Sequence, residues 1–205
     1  MSRSLAKALP AKPPKELLPF LDNPPLVGDE TSEDYYDVFR AIVIAAKPSD
    51  AIDWLHVKCV VDLTWEMRRE QAVKAGIVKL MQKEIVLDLL KTTQDAPTSL
   101  DSHVYRIFGA ADEAKQWALD PPAKKEIEAR LAAKGYVPAE TLALAYMKGA
   151  SQIDAVDRRI ASYEVRRMAA LREIERRNEK LARQLERASS EIIDAEFTEA
   201  TERLS

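Results

Sequence analysis

The sequence predicts an all-α protein: a long core helix, several short helices and a long C-terminal coiled-coil-like helix. Apolar residues recur at steps of three and four along most of the chain, prolines gather outside those stretches, and only five glycines interrupt 205 residues.

Residues 1–30 hold six of the eleven prolines. Proline is excluded from helix interiors and extends the residue before it, so this segment reads as a flexible Pro-rich arm. Leu17, Leu18, Phe20, Leu21, Leu26 and Val27 suit an ordered strap across a groove. A partly ordered tail is the alternative, and composition does not choose between them.

A helical core with a small-helix insert is expected over 31–150. Its first helix begins at Thr31 or Ser32, with Glu33, Asp34 and Asp37 near the positive N-terminal end. Lys47-Pro48-Ser49 ends it, and Ser49 is expected to cap the next helix. From Asp50 to about Lys91 there is no proline, and Gly76 is the one breaker, a candidate kink. The first half of this helix is apolar on most sides, so several neighbours bury it at once. Lys58, Asp62, Glu66 and Arg69 form its polar stripe.

Thr98–Ser102 reads as a turn, followed by a helix near Ala110–Leu119 stopped by Asp120-Pro121-Pro122. A second short helix closes at Gly135, and a third runs from Pro138 to about Met147.

The clearest pattern lies in 151–197. Ile153, Val156, Ile160 and Tyr163 alternate three and four apart. After one slip through Arg167, the rhythm resumes with Leu171, Asn178, Leu185 and Ile192 at heptad position a, and Ile174, Leu181 and Ala188 at d. Residues 198–205 form an acidic tail.

Composition removes several function classes. The glycines stand at least 14 residues apart, which disfavours a Gly-rich phosphate loop. Two histidines and one cysteine are too few for the usual zinc cluster. Cys59 has no partner for an intrachain disulfide and sits in an apolar helix, where a thiol behaves as a small hydrophobe. The longest apolar run, Ala41–Ala46, is six residues, far short of a membrane span. No signal-peptide pattern opens the chain, and a cytoplasmic protein is expected.

Asp53 and His56 make a single D-x-x-H unit, whereas a di-metal bundle needs two such units with further carboxylates. A core histidine is the favoured reading. No active site, cofactor or metal is expected.

Two interaction surfaces compete for the C-terminal helix. Leu171, Ile174, Asn178, Leu181, Leu185 and Ile192 form a candidate oligomerisation seam. An a-position asparagine can fix a parallel homodimer; folding back on Asp50–Lys91 within the chain is the equal alternative. Net charge is −3, but Asp157–Arg187 carries ten Arg or Lys against six acids. Arg158, Arg159, Arg166, Arg167, Arg172, Arg176, Arg177 and Arg183 are therefore candidate nucleic-acid contacts. Interleaved glutamates oppose that reading, because Glu–Arg pairs stabilise an exposed helix by themselves.

The segments "DAIDWLHVKCVVDLTWEMRRE" (Asp50–Glu70) and "IDAVDRRIASYEVRRMAALREIERRNEKLARQLERASSEIIDAEF" (Ile153–Phe197) resemble the central and C-terminal helices of small all-helical proteins of rhizobia and other alphaproteobacteria. "PPLVGDETSEDYYDVF" and "LAAKGYVPAETLALA" fit the same group. The resemblance implies an all-α fold and carries no activity or catalytic residues. A non-enzymatic interaction or assembly protein, with an unidentified protein partner, is the leading expectation. A nucleic-acid-associated accessory protein is the alternative.

Overall fold

The computed structural model describes residues 12–93 and 100–202, with residues 100–107, 181 and 184–202 as helical backbone. Among the described residues every regular element is helical. A 3-10 turn at Lys15–Leu17 leads into α1 (Leu18–Leu21), α2 (Ser32–Ala46), α3 (Ala51–Thr93), α4 (Leu100–Leu119), α5 (Pro121–Ala133), α6 (Pro138–Lys148) and α7 (Ala150–Glu202). The chain forms two compact units, Met1–Met67 with Ser162–Ser205, and Arg68–Ala161. The long helices α3 and α7 contribute to each.

In the first unit, Thr31 caps α2, its hydroxyl accepting from the Asp34 N–H at 3.2 Å. The helix stops at Lys47, whose φ of 48° takes the left-handed conformation common at helix ends. Ser49 was expected to cap α3, but Asp50 takes that place, its Oδ1 accepting from the N–H groups of Ile52 and Asp53, both at 2.9 Å. Ser49 turns instead to Asp53, donating its N–H and its hydroxyl to Oδ2 at 3.0 and 2.6 Å. Two capping residues stand in succession, and the carboxylate is the stronger acceptor.

The core of this unit joins Tyr35, Phe39 and Val43 of α2, at i, i+4, i+8, to Trp54, Val57, Val61 and Trp65 of α3. Ala170 and Ile174 of α7 close the third side. Tyr35 meets Trp65 edge-on with ring centroids 5.5 Å apart. Residues 12–30 pack as a strap: Leu21 is fully buried in the same core. The Tyr36 hydroxyl donates to Asp22 at 2.6 Å, and the Trp65 indole N–H donates to Glu30 at 2.9 Å.

In the second unit, Val86 and Leu90 of α3 pack with Ala110, Ala114 and Trp117 of α4 and Ile127 and Leu131 of α5. α3 continues helically through Gly76, the candidate kink. α4 begins ten residues before its expected start, because the Ser- and Asp-rich stretch read as a turn is helical from Leu100 onward; Thr98 and Ser99 lie outside the described residues. α5 closes at Gly135, whose φ of 93° a side chain would strain. α6 follows its expected limits, and Gly149 lets the next turn approach Ile77 and Met81 of α3. Ile153 and Val156 of α7 are buried. Lys74 reaches Asp157 at 2.8 Å, and Arg159 grips Glu70 with two hydrogen bonds of 2.6 and 2.8 Å. The C-terminal helix thus packs antiparallel on α3 here.

Candidate functional site

α7 carries both surfaces singled out in the sequence. In the first unit its pairing is again intramolecular. Ile174 is buried and Leu171 is half-buried against the core shared by α2 and α3. The stripe facing inward includes Ala170, Ile174 and Arg177, wider than the two-stranded a/d seam, because two helices rather than one lie against it. Asn178 is exposed, and its amide donates at 3.4 Å to the carbonyl of Ala46, the last residue of α2. Leu181, Leu185 and Ile192 have side chains outside the described residues.

Arg177 closes this end of the unit. Its Nε donates to Asp53 Oδ1 at 2.6 Å, and its Nη2 pairs with Asp50. Asp53 is 2% exposed. Burial pushes its carboxyl up, but hydrogen bonds from Arg177 and Ser49 outweigh this and hold it at about 2. Arg177 and Asn178 therefore stand level with the start of α3 and the end of α2, while α7 continues to Glu202.

The candidate nucleic-acid contacts are largely committed to carboxylates. Arg159 holds Glu70, Arg167 holds Glu164, Arg176 holds Glu173, Arg177 holds Asp50 and Asp53, and Arg183 holds Glu179. Arg158, Arg166 and Arg172 make no ion pair among the described residues. The fixed local charge is much smaller than the count of arginines suggests.

The polar stripe of α3 holds a part-buried ion pair. Lys58 is 4% exposed, and its ammonium donates to both oxygens of Asp62 at 2.6 and 2.7 Å. It also lies 5.6 and 5.5 Å from the ring centroids of Phe20 and Tyr35. The Tyr35 hydroxyl donates to Asp62 at 2.5 Å, and burial, followed by that contact, pushes its phenol far above the usual range. The i, i+4 spacing of Lys58 and Asp62 was a legible signal for the pair; its burial under Phe20 was not.

Cys59, expected inside the apolar helix, is exposed, since it falls on the face of Leu55, Asp62 and Glu66. Asp53 and His56 do not form a ligand pair, because Ser49 and Arg177 occupy both oxygens of Asp53. Among the described residues no three His, Cys, Asp or Glu side chains cluster for a metal ion, and no helix is long and apolar enough to cross a membrane.

Compared with known proteins, the chain matches no protein-family model, no curated protein and no solved structure.

Proposed function

We propose that this chain is a non-enzymatic helical assembly protein that pairs with a second copy of itself through residues 179–202 of α7. One observation carries the reading: both helices packed on α7 end level with Arg177 and Asn178, whereas α7 and its heptad pattern continue. The continuation is 24 residues, roughly 36 Å at helical rise. Leu181, Leu185, Ala188 and Ile192 keep the a/d rhythm there, the pattern by which a helix covers its apolar stripe with another helix.

The charge sequence favours antiparallel copies. In a parallel pair Glu191 at position g faces Glu196 at position e of the other copy, two like charges. An antiparallel overlap removes that pairing and runs the net-basic start of the segment, with Lys180, Arg183 and Arg187 on its outer face, along the net-acidic stretch from Glu191 to Glu202 of the other copy, a longer-range complementarity. Asn178, the residue that argued for a parallel register, already has the Ala46 carbonyl as partner.

The test is the light-scattering mass of the full chain against a Leu181→Glu/Leu185→Glu/Ile192→Glu variant. The expected result is twice 23.1 kDa for the chain and 23.1 kDa for the variant, with equal helical content up to the altered segment. A full-length chain that stays monomeric across a dilution series overturns the proposal. A nucleic-acid role has chiefly Arg158, Arg166 and Arg172 to draw on, so it predicts a shallow dependence of binding on salt. Absorbance on the same peak reads that alternative directly.

A further inference from the structure

We propose that the first unit carries a groove for a small monocarboxylate with an apolar body, held by Arg166; this is independent of self-association. The groove has a volume of about 500 Å³, and its walls are Phe20, Leu55, Leu63 and Tyr163. That size falls within the range of small-ligand sites, which run from roughly 300 to 1,000 Å³. Phe20 is 56% exposed and Leu55 42% exposed, apolar surface that a ligand's body would cover. Four charged side chains line the same space: Lys58, Asp62, Glu66 and Arg166.

Their bookkeeping decides the ligand's charge. Lys58 and Asp62 neutralise each other through two short hydrogen bonds, and Tyr35 takes a further position on Asp62. Glu66 is engaged as well. Arg166 makes no ion pair among the described residues. A guanidinium presents two parallel N–H donors that match one carboxylate. Arg166 thus offers the groove a single positive charge, which suits a monoanion better than a phosphate dianion or a dicarboxylate. The volume limits the body to the scale of a phenyl ring or a medium alkyl chain.

The chain supplies its own reporter. Cys59 is the sole cysteine, is exposed and lines the groove, so its alkylation rate measures occupancy. The full chain would be alkylated in the presence of 3-phenylpropanoate, octanoate or the uncharged 3-phenylpropanamide. At least one acid is expected to slow the reaction, and 3-phenylpropanamide to require a concentration about tenfold higher than 3-phenylpropanoate, the worth of one charge-assisted hydrogen bond. Arg166→Gln should abolish the preference for acid over amide while circular dichroism stays unchanged. Arg166→Lys, which keeps the charge and loses the fork, should restore part of it. Protection by neither acid, equal protection by acid and amide, or a preference that survives Arg166→Gln each overturns the proposal. Protection by 3-phenylpropanoate or by octanoate, dependent on Arg166, supports it and tells whether the body is aromatic or alkyl.

Discussion

Replacing Asp53 by Asn should destabilise the protein at neutral pH and progressively less in acid. Asp53 is 2% exposed, and its carboxyl is held at about 2, against an ordinary 3.8. At 1.36 kcal/mol per unit, that depression corresponds to about 2 kcal/mol of folding stability. A carboxylate with a lowered folded-state pKa contributes this stability in full above its unfolded value. The contribution is then lost as pH falls through the folded one. The difference between wild type and Asp53→Asn should therefore be about 2 kcal/mol at pH 7, roughly half that near pH 3, and small below pH 2. Urea unfolding followed by tryptophan fluorescence measures it, with Trp54 and Trp65 in the same core as the site. A difference that is flat from pH 7 to pH 3 would refute the attribution to the ionised carboxylate and leave only the loss of shape or of the Ser49 contacts. Arg177→Gln should raise the acid midpoint in parallel, because Asp53 then keeps its burial and loses its strongest donor.

Three further outcomes are expected. Asp62→Asn should cost more stability than Lys58→Met, about 3 against about 1 kcal/mol in chemical denaturation, because the first leaves a buried ammonium unpaired and the second removes it; equal losses would contradict the pairing. Gly149→Val should lower stability by about 1–3 kcal/mol, since even a Cβ there meets Met81 Cγ at 3.1 Å and Ile77 Cγ2 at 3.3 Å; an unchanged thermal midpoint would refute that close approach. Glu191→Lys alone should weaken self-association if the copies run antiparallel, since it removes an acid from the stretch lying along the basic one, whereas a parallel pair would be strengthened because the new cation faces Glu196 of the other copy; the dissociation constant from sedimentation separates the two.

The sequence made the helices legible because their signals are local. Thr31, Pro121, Gly135 and Pro138 act on backbone groups within a turn of themselves, and the structure places helix limits beside each. The failures are equally local. Ser49 and Asp50 are both good caps, but Asp50 takes the helix N–H groups on one oxygen and Arg177, more than 120 residues away, on the other, while Ser49 turns to Asp53, and no local signal carries that long-range contact. Leu100, Val104 and Ile107 do recur at helical spacing, but the run of turn-forming side chains from Thr98 to Ser102 masks the start of that stripe.

The candidate surfaces were less legible for a different reason. Periodicity tells that a face will be covered, and does not tell by what. Leu171 and Ile174 obey the same heptad as Leu185 and Ile192, yet the first two belong to or pack against the core cluster of their own chain. The division comes from where α2 and α3 end, a property of their breakers at Lys47-Pro48 and of the cap at Asp50 rather than of the heptad itself. The arginines follow the same logic. A run of guanidinium groups reads as a phosphate surface only until the acids of the facing helix are counted, and Glu70, Asp50 and Asp53 were placed opposite them by the antiparallel fold. What is left over after those pairings, Arg166 beside an apolar groove and a heptad that runs on past the ends of α2 and α3, is what the two proposals draw on for binding.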